Sequence, residues 1–252
     1  GNGVAFTIGA LSLPAGTKPT LSGTVALAND VSVSGFTFNP AGSASAITGT
    51  SVGGTSTISQ NTISLSNTGT AVSLTSGAGT INFTSTSISQ SGTGTGVSIG
   101  SKTGGTVSFD AASPISVTGP GSTGVNLTSN TGATITFAGG LTLTTANGNA
   151  FRATGGGTVT ATQNNGSIVN TLTTTTGTAL NVASTTIGAA HLTFRSISSN
   201  GATNGVILNN TGGSGGLKVV GNGGSCSSSV TCTGGAIQNA AVGVSLTSTT
   251  GV

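Results

Sequence analysis

Tryptophan, tyrosine and methionine are absent from this 252-residue chain, which contains only 2 cysteines and 1 histidine. Charged side chains make up 3% of it, against about 25% in an ordinary soluble domain. Each shortage excludes something. A nucleic-acid surface needs a basic stripe with stacking aromatics. Here the cations Lys18, Lys102, Arg152, Arg195 and Lys218 are scattered along the chain, so no nucleic-acid partner is expected. Calcium needs several oxygen ligands, usually carboxylates, and the only carboxylates are Asp30 and Asp110. No metal or other cofactor is therefore expected. No apolar run reaches the roughly 18 residues of a membrane-spanning helix, so no transmembrane segment is expected. The start, "GNGVAFTIGALSL", lacks the charged beginning and continuous apolar stretch of a signal peptide. The formal net charge is only +3, which leaves little electrostatic opposition to self-association.

What is abundant is glycine, at 45 residues, together with serine, threonine and β-branched apolar residues. Low charge with Gly, Ser and Thr can signify disorder. Regular apolar recurrence argues against it here. Residues 94–120 read "GTGVSIGSKTGGTVSFDAASPISVTGP", and the following stretch repeats the pattern as "GSTGVNLTSNTGATITFAGGLTLTTAN". Internal repeats of this length point to stacked supersecondary units. The marker positions are Val4, Val25, Ile47, Val72, Val97, Val125, Phe151, Leu180, Val206 and Val244. Their spacings are 21, 22, 25, 25, 28, 26, 29, 26 and 38 residues.

Each repeat carries three short segments of period-2 alternation, the signature of strands. In the second segment the expected inward pairs are Ile81/Phe83, Val107/Phe109, Ile135/Phe137, Val159/Ala161, Leu192/Phe194 and Leu217/Val219. The third segments are expected to contribute Ile63, Leu65, Ile88, Ile115, Val117, Leu141, Leu143, Ile168 and Ile197. Gly-, Asn- and Ser-rich steps mark the corners. The predicted fold is all-β, a right-handed parallel β-helix (β-solenoid) of about nine coils of three short strands. A single solenoid is expected to occupy residues 1–252. A solenoid that starts and stops on strand patterns without polar caps is expected to be a segment of a longer chain, or a subunit stacking end to end.

The pattern "GTGVSIGSKTGGTVSF", and more so "NGVILNNTGGSGGLKVVGNGG" at 204–224, resembles the repetitive β-helical regions of large secreted bacterial surface proteins. Those are autotransporter passengers and filamentous-haemagglutinin-like adhesins. The resemblance is one of repeat style and carries no catalytic motif. It implies an extracellular or cell-surface location and a structural or adhesive role. From the uncapped ends and low charge, the expected partners are further copies or adjoining β-helix segments, and the Ser-, Thr- and Asn-rich surface makes carbohydrate a candidate ligand.

Several local features bear on function. Cys226 and Cys232, in "CSSSVTC", lie in the 38-residue repeat, and a disulfide between them is expected to close a loop near 221–234. It would stabilise that loop by about 2 kcal/mol and implies an oxidising compartment. Glycoside hydrolysis generally uses carboxylates about 5 to 9.5 Å apart, whereas Asp30 and Asp110 fall about three coils apart. His191, Arg152 and Arg195 read as surface residues, so no catalytic residue is expected and the chain does not read as an enzyme. A second functional reading comes from outward threonines. Thr80, Thr106, Thr134, Thr136, Thr158, Thr160 and Thr193 would stack into a flat ladder like those of ice-binding solenoids, interrupted by Asn82, Ser108 and Lys218. Threonine's ordinary strand preference accounts for such a ladder equally well. A polysaccharide-binding or tailspike-like protein is the third reading. The sequons at Asn82 and Asn126 carry little weight in so Ser/Thr-rich a chain.

Overall fold

The computed structural model describes residues 16–121, 123–224, 227–228 and 231–252. They contain no helix and form three nine-stranded parallel sheets, arranged as a β-solenoid. The chain visits the first, second and third sheets in turn, so each turn pairs only with its two neighbours. The first sheet begins at Val25–Leu27 and ends at Val242–Thr247. The marker residues form its continuous ladder: Val25, Ile47, Val72, Val97, Val125, Phe151, Leu180, Val206 and Val244 are register partners in succession. Val4, expected to begin the series, lies outside the described residues.

Seven turns place a continuous strand in all three sheets, rather than the nine expected. The eighth is incomplete, because its second-sheet strand breaks into Gly212–Gly213 and Leu217–Val219. Glycine supplies no inward side chain at the first of these pieces. Partial turns, with both pieces of the broken second-sheet strand counted, bring every sheet to nine strands.

Alternation inward and outward fills the interior with Val, Ile, Leu and Phe, most of them fully buried. Phe83, Phe109 and Phe137 are successive register partners, with ring centroids 4.5 and 5.0 Å apart and planes within 13°. The column does not continue on the same sheet. Ala161 takes the next position, and the vacated volume is filled from the first sheet by Phe151. Its ring meets Phe137 edge-on at 5.8 Å and Phe194 at 6.1 Å.

One expected pairing and two expected inward positions are corrected. Val159 pairs with Ile187, not Leu192, because residues 188–191 bulge out before Leu192 pairs with Ala161. Ile168 is half-buried in a loop, while Asn170 and Leu172 take the register of Leu141 and Leu143. Val219 is 45% exposed, since the turn that would cover it is incomplete.

The corner between the first and second sheets follows one rule along the whole rod. Asp30, Ser51, Ser76, Ser101, Ser129, Gly155, Ser184, Asn210 and Ser248 all have φ between +46° and +81°. This left-handed conformation is unfavourable for residues with a Cβ, by roughly 1–2 kcal/mol. It aims the corner N–H along the axis. Ser51, Ser76, Ser101, Ser129, Gly155, Ser184 and Asn210 each donate to a carbonyl of the next turn at 2.8–3.0 Å. The corner between the third and first sheets is closed differently. A Cβ on Gly69 would lie 2.1 Å from the Ala44 carbonyl oxygen, and one on Gly94 1.9 Å from that of Gly69. Only the corner between the second and third sheets varies widely. It is the single residue Arg195 in one turn, residues 162–169 in the turn before and 220–236 in the turn after.

Two substitutions test this account by the urea midpoint of unfolding. Phe109→Ala removes the middle ring of the stack and is expected to destabilise by about 3–5 kcal/mol. Ser129→Val places a β-branched residue at φ +55° and is expected to destabilise by about 1–2 kcal/mol, with Ser129→Gly close to neutral.

Candidate functional site

Buried polar groups come first, because they decide which side chains remain available for a ligand. Asn61 accepts the N–H of Phe36 at 2.9 Å and donates to the Val33 carbonyl at 2.9 Å. Asn130 accepts the Lys102 N–H and donates to the Ile99 carbonyl. Asn170 accepts from Leu141 N–H and donates to the carbonyls of Thr162 and Thr193. Gln90 replaces an apolar residue between Leu65 and Val117 on the third sheet and braces Gly69 and Gly92. Each amide is itself satisfied by main-chain groups at or beside the corners, as buried polar atoms require.

The two carboxylates serve the same purpose. Asp30, in the first described turn, accepts the Thr55 N–H at 2.7 Å. Asp110, in the fourth, accepts from the N–H groups of Ser85 and Ala112 and from the Ser113 hydroxyl, the last at 2.7 Å. They sit three turns apart and at different corners, as spacing predicts for the turns.

The cations are less uniform. Arg152 points outward and donates to Asn126 Oδ1 at 3.1 Å. Arg195 is not simply solvated. It donates to the Asn165 carbonyl at 2.7 Å, holding the loop 162–169 against the rod, and its Nε is enclosed without an acceptor. His191 is half-buried in the second-sheet bulge with φ +65°, and its Nδ1 accepts the Gly216 N–H at 3.0 Å. Lys102 is fully buried, a position that sequence reasoning left unassigned. Its Nζ donates to the carbonyls of Gly79 at 3.1 Å and Gly77 at 3.4 Å, both in the preceding turn. Burial away from water pushes its pKa below the ordinary lysine value.

The expected threonine ladder forms on the outward face of the second sheet, and it is longer than predicted. Thr106, Thr134, Thr158 and Thr186 are successive register partners. Thr55 pairs with Thr80, which the pairing of Ile81 with Val107 sets beside Thr106. The column is therefore six threonines deep. Two residues along each strand a second column runs Thr57, Asn82, Ser108, Thr136 and Thr160. Ser108 donates to Asn82 Oδ1 at 2.8 Å. Thr160 is buried, because the bulge 188–191 lies over it: a Cβ on Gly188 would come within 2.7 Å of its methyl. Thr193 lies beyond the bulge, beside Lys218 of the eighth turn, and joins neither column. Thr55, Thr57 and Thr186 were missed because the surrounding "TSTIS" and "TIGAAHLTF" depart from the Thr-apolar-x-Phe pattern.

The cysteine pair falls on the variable corner. Cys226 lies outside the described residues, so the expected bond is not placed. The large exposed apolar residues of the described chain are Val219, Val220, Val242, Val244, Leu246 and Val252, all at one end of the rod. Val244 and Leu246 occupy the same register as the buried Val206 and Leu208. Among the described residues no three His, Cys, Asp or Glu side chains converge, and no helix is long and apolar enough to cross a membrane.

No family model, curated protein or solved structure matches the chain.

The lysine gives a signed pH dependence. With its folded pKa depressed, the native state binds fewer protons than the unfolded chain between that pKa and 10.5, so stability rises with pH across that window. The penalty is fully present below the folded pKa. Urea midpoints of the wild type are expected to climb as pH is raised through the alkaline range, and Lys102→Met is expected to abolish the climb. An equal climb in the variant would place its origin elsewhere.

Proposed function

We propose that this chain is a rigid, nearly uncharged rod serving a structural or adhesive role at a cell surface or in an extracellular fibre, of the kind formed by the repetitive β-helical regions of secreted bacterial surface proteins. The observation that carries this reading is the unbroken register of the first sheet, one parallel ladder from Val25 to Val244. Backbone bonding along the axis makes such a ladder stiff. Side-chain hydrogen bonds reinforce it further, because the buried Asn61, Asn130, Asn170 and Gln90, and the two aspartates at the corners, bridge main chain within or between turns. The natural partner is another turn of parallel β-structure, from an adjoining β-helix segment or a further copy, meeting Val244 and Leu246. Surface carbohydrate is a second candidate partner, through the Ser-, Thr- and Asn-rich exterior. Cys226 and Cys232 are proposed to pair across the variable corner, consistent with an oxidising compartment.

Two measurements test this. Antibodies against the chain are expected to label intact source cells, or fibres shed from them, with an axial repeat of about 4.8 Å in diffraction. Labelling confined to the interior of opened cells would sink the proposal. Thiol alkylation of the native, unreduced protein is expected to add no label, and two labels after reduction. Labelling of both cysteines without reductant would remove the disulfide and the oxidising compartment together.

A further inference from the structure

We infer that the outward face of the second sheet binds ice. The inference goes beyond the structural role and does not depend on it.

Composition of the column is the first ground. Across six consecutive turns the position held by Thr55, Thr80, Thr106, Thr134, Thr158 and Thr186 is always threonine. The equivalent outward columns elsewhere are mixed. On the third sheet it reads Ser64, Ser89, Ser116, Thr142, Thr171 and Ser196. On the first sheet it reads Thr48, Ser73, Ser98, Asn126, Arg152 and Asn181. All three columns are solvent-facing strand positions, so β-propensity acts on each alike. Only the column from Thr55 to Thr186 holds a methyl beside every hydroxyl.

Availability is the second ground. Threonines 86, 145, 174, 185 and 211 at the corners donate to backbone carbonyls. The six column hydroxyls make no hydrogen bond within the described chain, and neither do those of Thr57 and Thr136. They are held in register yet left for solvent.

Geometry is the third. Register fixes neighbours along the column at about 4.8 Å and the two columns at about 6.6 Å, twice the rise per residue. The result is a two-dimensional array of hydroxyls and methyls, interrupted by Asn82 and Ser108 in the second column, with no charged side chain in either column. A lattice of this scale suits a crystalline array of water. The methyls order the water between hydroxyl anchors, and the stacked backbone prevents the face from relaxing away from it. Polysaccharide surfaces are usually gripped by exposed aromatic faces. Here Phe38, Phe83, Phe109, Phe137, Phe151 and Phe194 are all buried. The bulge at 188–191 over Thr160, and Lys218 beyond it, end the lattice at the seventh turn.

The test measures the freezing-point gap and ice-crystal habit of the purified full chain, with circular dichroism as the control for folding. The wild type is expected to shape ice and to open a measurable gap. Thr134→Tyr, at the centre of the lattice, is expected to reduce the gap several-fold, and Thr142→Tyr, on the third sheet, to leave it unchanged. Should Thr134→Tyr fail to fold, the triple change Thr106→Ser, Thr134→Ser and Thr158→Ser keeps the hydroxyls, removes three methyls, and is expected to lower the gap in the same way. Absence of ice shaping in the wild type overturns the inference. So does an equal loss in Thr142→Tyr, or adsorption to insoluble polysaccharide without activity on ice. None of these outcomes bears on whether the rod is displayed at a surface, which antibody labelling decides separately.

Discussion

The hydrogen bond from a left-handed corner residue to the turn above is the constraint from which the rest of the molecule follows. Ser51, Ser76, Ser101, Ser129, Gly155, Ser184 and Asn210 all make it, at nearly constant length. The conformation is unfavourable locally, so it persists only because the following turn supplies the acceptor. Each corner thus fixes where the next strand starts, and strand after strand begins in the same phase. Vertical alignment of like residues is a consequence of that phase rather than an independent preference.

Packing then adjusts within the fixed frame. Where the second sheet carries Ala161 in place of a fourth stacked ring, the first sheet carries Phe151 in place of an aliphatic residue. Volume is conserved across the section although neither ladder is uniform. The same frame explains why so many polar groups lie inside. A solenoid corner breaks the ladder in every turn, and each break strands main-chain donors and acceptors. Asparagine, glutamine and serine side chains satisfy them from within, the two aspartates do so at the surface, and Lys102 does so with a buried amine. Little functional polarity is left in the interior. The exterior carries it instead, as hydroxyls in rows.

Much of this was legible in the residues. The first-sheet markers were identified without an error among the described turns, because a small residue followed by an apolar one is a local signal that loop length does not disturb. The inward pairs up to Ala161 were equally legible from alternation. Errors cluster where register is not local. Residues 188–191 insert between Ile187 and Leu192, and alternation alone cannot tell which of two apolar residues continues a ladder. Ile168 looked like a core residue because it is apolar, but the turn length placed Leu172 in its stead. The burial of Lys102 was not legible, since nothing in "GSKTGG" reveals that the carbonyls of Gly77 and Gly79 in the preceding turn lie within reach of its amine. The threonine column was seen in part, and its two ends were missed where flanking residues broke the motif. What the chain carries out biologically was legible only as a choice among roles compatible with a stiff, uncharged rod.

The three corners differ in how much change they can absorb. The first is held by its left-handed residue and the second by glycines that abut the backbone of the preceding turn. The third ranges from Arg195 alone to the eight residues 162–169 while the flanking strands keep their register, and reaches 220–236 in the incomplete eighth turn. Along its length the solenoid therefore has one permissive edge. Lineages that diversify this chain, and engineers who wish to display a peptide on it, would find extra sequence accommodated there turn by turn, while the other two edges hold the rod's cross-section constant.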